Sequence, residues 1–225
     1  MFEKDYIPER RPLAVRKLAV LAAITRMLAG LGVSPNAISI TSFLVSFGTG
    51  WALFASNGNS QQELLLVASC LLLLMRGACN IFDGMVAIHT GKASRAGELY
   101  NEVPDRLSDS VILIGAGYAS GGTPELGYLA AIAALFTAYV RVQACSLGVP
   151  ADFRGPMAKV QRMVLIASAA LWTALLPESW QVSKWFYSKV GTFDLALVLI
   201  IAGCVLTSAR RLRRSAHILS QDRAS

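Results

Sequence analysis

Between residues 80 and 109 the chain sets oxygen-bearing side chains at helical spacing among apolar ones. Asn80, Asp83 and Ala87 lie three and four apart, and Gly97, Asn101, Asp105 and Asp109 lie four apart. On helices each set presents a single face. Two facing stripes of oxygen ligands could hold a hard divalent cation against a diphosphate, with Gly84 and Gly97 leaving room for a bulky substrate. The same spacing also suits helix packing through small and polar residues, with Asp and Arg forming internal ion pairs. Pro104 beside Asp105 suits a simple kink.

The elements that must carry these residues are membrane helices. The 225 residues are 54% hydrophobic and only 16% charged, with a mean hydropathy of +0.50, against about 25% charged in soluble domains. At roughly 20 residues per span, the apolar content allows at most about six transmembrane helices. That excludes a large soluble domain. Cys70, Cys79, Cys145 and Cys204 stand singly inside apolar runs, which excludes a disulfide scaffold and a zinc module. The net charge of +7 resides mostly at the ends of apolar segments, where membrane topology places basic residues, so nucleic acid is not an expected partner.

The expected fold is all-α: a polytopic integral membrane protein with six transmembrane helices and an N-terminal amphipathic surface helix. The segments are a cytoplasmic stretch 1–37, a membrane domain 38–209 and a basic cytoplasmic tail 210–225. The N-terminal stretch mixes Glu3, Asp5 and Glu9 with Lys4, Arg10 and Arg11 and lacks the pattern of a signal peptide. Apolar residues over 13–31 recur near helical spacing, as in an interfacial helix. Spans are expected at about 38–54, 64–88, 97–119, 126–147, 159–176 and 192–208. Trp180, Trp185, Phe186 and Tyr187 suit an interfacial aromatic belt. Placing both termini, the 89–96 loop and the 148–158 link in the cytoplasm leaves essentially Lys184 and Lys189 on the other side.

Charges inside spans cost about 2.5–3.5 kcal/mol each at mid-depth. The half of the second span holding Arg76, Asn80 and Asp83 therefore cannot face lipid. Glu98, Glu102, Asp105, Arg106 and Asp109 must line a hydrated cavity or lie near the cytoplasmic surface. A short loop makes the second and third segments expected antiparallel neighbours. Arg141, alone in the fourth span, needs a partner, with Asp105 or Asp109 the candidates.

Asn80-Ile-Phe-Asp83-Gly84-Met-Val-Ala87-Ile88, then eight residues, then Gly97 with Asn101 and Asp105, resembles the signature of the CDP-alcohol phosphatidyltransferases, DxxDGxxAR, eight residues, GxxxDxxxD. Gly32-Val-Ser-Pro35-Asn36-Ala-Ile resembles the family's lead into its first span. Tyr139-Val-Arg141 and Gly155-Pro-Met-Ala-Lys159-Val-Gln-Arg162 resemble basic elements before and at the fifth span. The resemblance implies transfer of a phosphatidyl group from CDP-diacylglycerol, or another CDP-alcohol, to an alcohol with release of CMP. It further implies a homodimer in a bacterial inner membrane with a cytoplasmic active site. Asn80, Asp83, Asn101 and Asp105 would hold one or two Mg²⁺ or Mn²⁺ ions, and Asp105 would be the base. Asn80, Asp83, Gly84, Ala87 and Gly97 would bind the nucleotide. Arg141, Arg154, Lys159 and Arg162 would bind the acceptor, which such residues in the family associate with a phosphate.

Three positions depart from the pattern: Asn80 and Asn101 replace aspartates, and Ile88 replaces the arginine. An asparagine keeps a carbonyl ligand but loses the charge that makes a site tight for Mg²⁺, so a weaker site or a single ion is expected. Glu98 either compensates on the same face or is a first-turn glutamate favoured by the helix dipole. Lys92 or Arg95 either replaces the missing arginine or is a solvated loop charge. The basic patch is explained by a ligand or by positive-inside placement alone. Two rival readings stand beside the enzyme: a catalytically silent member that binds CDP-lipid or a partner enzyme, and a small transporter, against which the rigid spacing argues.

Overall fold

The computed structural model describes residues 18–92, 94–185 and 188–221. Helix α1, Ala19–Gly30, ends where Gly32 takes a left-handed φ of +72°. Helix α2, Pro35–Ser56, begins with Ser34 Oγ accepting the Ala37 N–H at 3.2 Å and Pro35 in the first turn, the pairing that suits an N-terminus. Then come α3, Gln62–His89, and α4, Arg95–Tyr118, which opens with Ser94 Oγ accepting the Gly97 N–H and contains Pro104. After these follow α5, Pro124–Ser146, α6, Lys159–Leu175, the single turn α7, Glu178–Gln181, and α8, Thr192–Gln221.

Four helices, α2, α3, α5 and α8, are long and apolar enough to cross a membrane. Their outward faces carry large apolar side chains such as Leu44, Trp51, Leu74, Ile132 and Val205, as lipid contact requires. Helix α4 bears too many charges to qualify on composition, and α6 has 17 residues.

The helix that carries the sixth expected span continues past Ser208 to Gln221, through Arg210, Arg211, Arg213 and Arg214. One expectation changes. Before that helix, strands β1, Val182–Trp185, and β2, Ser188–Gly191, form an antiparallel hairpin with Val182 opposite Gly191, where an aromatic link was expected in an all-α chain. Trp180 is exposed there, its carbonyl accepting the Trp172 indole N–H at 3.1 Å. Phe186, Tyr187 and the Trp185 side chain lie outside the described residues, as does the 13–17 part of the expected surface helix.

Six helices close a ring. Helix α2 packs on α3, α3 on α6, α6 on α8, α8 on α5, α5 on α4, and α4 back on α2, with α1 laid against α3. Inside are Leu66, Ile112, Leu113, Ile166, Leu197 and Ile200, each fully buried. Helices α3 and α4, expected to be direct neighbours, do not pack along each other; both lean on α2 instead. The cause is a close crossing of α2 and α4, where a Cβ on Gly115 would meet the Gly50 carbonyl oxygen at 2.5 Å. Small residues that let helix backbones touch draw α4 to α2, and a space opens between α3 and α4.

The 148–158 link is docked on α8. The Met157 N–H donates to Thr207 Oγ1 at 3.1 Å, Arg211 Nε donates to the Arg154 carbonyl at 3.1 Å, and Arg214 reaches Asp152 at 3.2 Å. Gly155, at φ +142°, lies so near α8 that a Cβ would fall 2.3 Å from the Thr207 methyl.

Candidate functional site

The space between α3 and α4 is a cavity of about 710 Å³, bordered also by α1, α5, α6, α8 and the 148–158 link. Asn80 and Asp83 reach it from α3, and Gly97, Asn101 and Asp105 from α4. Arg141, Lys159 and Arg162 close it from α5 and α6. The two stripes picked out by spacing therefore meet across one space, although the backbones of their helices do not pack along each other.

Helix α2 sets the α3 stripe. Ser39 Oγ donates to Asp83 Oδ2 at 3.2 Å, and Ser42 Oγ donates to Asn80 Oδ1 at 3.1 Å. On α4, Asp105 receives Lys159 Nζ at 2.5 Å and stands 3.6 Å from Arg76 Nη2. Arg76, 1% exposed, donates through Nε to Ser46 Oγ at 2.8 Å and through Nη2 to Asp109 Oδ1 at 2.7 Å. Internal ion pairing and an open polar site thus coexist: Asp109 lies behind the cavity wall and Asp105 on it.

The other expected residues divide between the cavity wall and its surroundings. Gly84 and Ala87 are buried off the cavity; the turn holding Ala87 belongs to the helix cap, its carbonyl accepting the Lys92 N–H at 2.9 Å. The Arg154 side chain is 68% exposed, pairs with Asp152 and does not border the cavity. Arg162 borders it, with Nη2 on Asp109 at 2.7 Å, Nη1 on the Met157 carbonyl at 3.3 Å and Nε buried without a hydrogen-bond partner. Arg141 pairs with Glu102 rather than Asp105 or Asp109, which already hold other cations, and it lies over the Phe153 ring at 5.0 Å. Glu102 also takes Arg106 at 3.0 Å. Lys92 and Ile88 are exposed and outside the cavity. The side chains of Glu98 and Arg95 lie outside the described residues.

Sequence reasoning missed Ser39, Ser42 and Arg211. Arg211 lines the cavity while donating to the Thr137 carbonyl at 3.0 Å. It falls on the buried stripe of α8 that includes Leu197, Ile200, Cys204 and Thr207, and a helical-spacing count extended past Ser208 would have found it.

Among the described residues the cavity wall carries six basic side chains, Arg76, Arg106, Arg141, Lys159, Arg162 and Arg211, against three acidic ones, Asp83, Glu102 and Asp105. Such a balance favours an anionic ligand. No group of three or more His, Cys, Asp and Glu converges among the described residues. The donor set that α3 and α4 turn to the cavity is oxygen only: two carboxylates, Asp83 and Asp105, and the amide oxygens of Asn80 and Asn101. That chemistry fits a hard divalent cation held with modest charge and is wrong for a thiolate or imidazole metal.

The sequence model of the family described as CDP-alcohol phosphatidyltransferase matches residues 32–209. The chain is 28% identical over 155 residues to an archaetidylinositol phosphate synthase of Pyrococcus horikoshii, covering 69% of this chain and 78% of that one. It is 29% identical over 177 residues to the archaetidylinositol phosphate synthase of Methanothermobacter thermautotrophicus, covering 78% and 79%. In fold it is similar to the Mycobacterium tuberculosis phosphatidylinositol phosphate synthase. The structure of that protein with CDP-DAG bound superposes with a TM-score of 0.69 at 18% identity, over 88% of this chain and 94% of that one. Its complex with manganese and citrate gives 0.68 at 18% identity, over 87% and 88%.

Proposed function

The chain belongs to the CDP-alcohol phosphatidyltransferase family, and from that premise we propose that it moves a phosphatidyl group from CDP-diacylglycerol to an alcohol acceptor, releasing CMP. We place both termini and the active site in the cytoplasm, as the Lys and Arg distribution favours, with six spans in a bacterial inner membrane; the homodimer rests on the family resemblance alone. The observation that carries the reading is the cavity itself, which gathers Asn80, Asp83, Gly97, Asn101 and Asp105 in a wall with an excess of cations.

The acceptor hydroxyl attacks the β-phosphorus; its new O–P bond forms as the bond from phosphorus to the CMP oxygen breaks. Asp105 takes the hydroxyl proton. Lys159, already on Asp105, exchanges to a phosphate oxygen as the substrate enters, which frees the carboxylate. Arg141 and Lys159, which border the cavity from α5 and α6, bind an acceptor phosphate where the alcohol carries one. Asp83 and Asp105, with the Asn80 and Asn101 carbonyls, would hold Mg²⁺ or Mn²⁺. Bound there, the ion would offset the diphosphate charge and polarise its P–O bonds. With two carboxylates where the family pattern has four, these residues would hold such an ion weakly. The Asn side chains offer N–H donors to phosphate oxygens in return.

A second reading, CDP-lipid binding without turnover, is favoured by the same Lys159–Asp105 pair, since a carboxylate oxygen occupied by an ammonium is not open to an acceptor hydroxyl. Purified protein incubated with labelled CDP-diacylglycerol, Mg²⁺ or Mn²⁺ and a panel of alcohols and phosphorylated alcohols separates the two. CMP release supports the transferase. Saturable CDP binding with no release for any acceptor supports the silent binder.

A further inference from the structure

Asp109 has no part in the reaction just described, yet both its oxygens are engaged. It lies one turn beyond Asp105 on α4, 2% exposed, with Oδ1 receiving Arg76 Nη2 and Oδ2 receiving Arg162 Nη2, each at 2.7 Å. Arg76 comes from α3 and Arg162 from α6. One carboxylate thereby ties three helices around the cavity, two of which do not pack on each other.

Arg76 is shared. The nitrogen that bonds Asp109 at 2.7 Å stands 3.6 Å from Asp105 Oδ1, while Nε is pinned by Ser46 at 2.8 Å. Ser46 in turn donates to the Ser42 carbonyl at 2.7 Å, and the Ser42 hydroxyl holds Asn80. The guanidinium is therefore fixed beside Asp105 and not upon it. Stability alone does not call for this arrangement, because a buried ionic triad holds helices no better than apolar side chains of equal volume. What apolar side chains cannot do is set a cation at a defined distance from Asp105.

The geometry points to Asp109 as a positioning residue: it restrains Arg76 so that Asp105 keeps its working place and freedom, and it sets the separation of the α3 and α4 walls. This rests on the phosphatidyl-transfer reading. Three full-length variants test it: Asp109→Asn, Asp109→Glu and the apolar triple Arg76→Met/Asp109→Leu/Arg162→Met. For each, kcat, KM for labelled CDP-diacylglycerol, CDP binding and melting temperature are measured.

Asp109→Asn lowers kcat by about 10²-fold, the scale of an ångström's misplacement, with KM and CDP binding unchanged. Asp109→Glu, which keeps the charge, recovers part of the loss. The triple variant melts no lower than wild type and stays as slow as Asp109→Asn. Wild-type kcat in the triple variant overturns the proposal. So does a triple that fails to fold, or a kcat loss that follows melting temperature across the series, since each makes the clamp structural only. A wild type that releases no CMP sinks the transfer reading and the clamp's role with it. An active wild type beside equally active variants sinks the clamp alone.

Discussion

The Lys159 ammonium lies 2.5 Å from the Asp105 carboxylate, joining the first turn of α6 to the middle of α4 across the cavity. The acid at the centre of the proposed chemistry is thus already paired. A hydrogen bond to a charged group contributes about 1.5–3 kcal/mol, and a phosphate oxygen offers the ammonium a contact of the same kind. Exchange of Lys159 from Asp105 to an incoming phosphate is close to balanced.

Lys159→Met leaves the Asp105 carboxylate without its cation beside an incoming phosphate, so KM for the phosphate-bearing substrate that Lys159 contacts is expected to rise by about 10-fold or more through uncompensated repulsion. Steady-state kinetics with the lipid and the acceptor varied separately show which substrate is affected. If neither KM moves, Lys159 does not bind phosphate in the working complex.

Asp105→Asn should reduce turnover by about 10²- to 10⁴-fold, the range for removal of a positioned general base, while leaving CDP binding in place. Turnover at the wild-type rate would take Asp105 out of the base role.

Restoring carboxylates with Asn80→Asp and Asn101→Asp adds two negative charges to an oxygen site. Ser42 Oγ, now 3.1 Å from Asn80 Oδ1, donates equally well to a carboxylate, so the change fits sterically. The Mg²⁺ concentration for half-maximal CMP release should fall by about tenfold or more, because ligand charge governs affinity for hard cations. An unaltered titration would mean that these positions are not ligands.

Gly115→Ala puts a Cβ 2.5 Å from the Gly50 carbonyl oxygen and 2.8 Å from its Cα. Neither backbone atom can swing aside, so the α2–α4 crossing must widen, at about 1–3 kcal/mol for an overpacked contact. The melting temperature in detergent should drop. Gly30→Ala, whose Cβ meets nothing within 4 Å, serves as the comparison and should show no loss.

Helix limits were legible where punctuation is strong: Ser34 with Pro35, Ser94, and Pro124 start helices within a few residues of the expected places. The end of α8 was not, because hydropathy falls at Arg210 while Arg, Leu and Ala continue to favour helix and Arg211 turns inward to bond the Thr137 carbonyl. Spacing told which residues of α3 and α4 share a face. It could not tell that α2 would draw α4 away from α3, since that depends on the fit of Gly50 to Gly115. Nor does periodicity set the rotation of α5 against α4, which decides that Arg141 meets Glu102. Ser39 and Ser42 carry no flag in an apolar helix until Asp83 and Asn80 are seen opposite them.

The three members of the Asp109 clamp are far apart in the chain, at positions 76, 109 and 162. During synthesis Asp109 and Arg76 reach the bilayer well before Arg162, so Asp109 can first balance one arginine and the ring stays open on the α6 side. Arrival of α6 completes the clamp, and α8, which is made last, closes the ring between α6 and α5. Nascent chains halted before residue 159 should be more open to protease attack than chains halted after α6 has cleared the ribosome, and these in turn more open than chains that include α8.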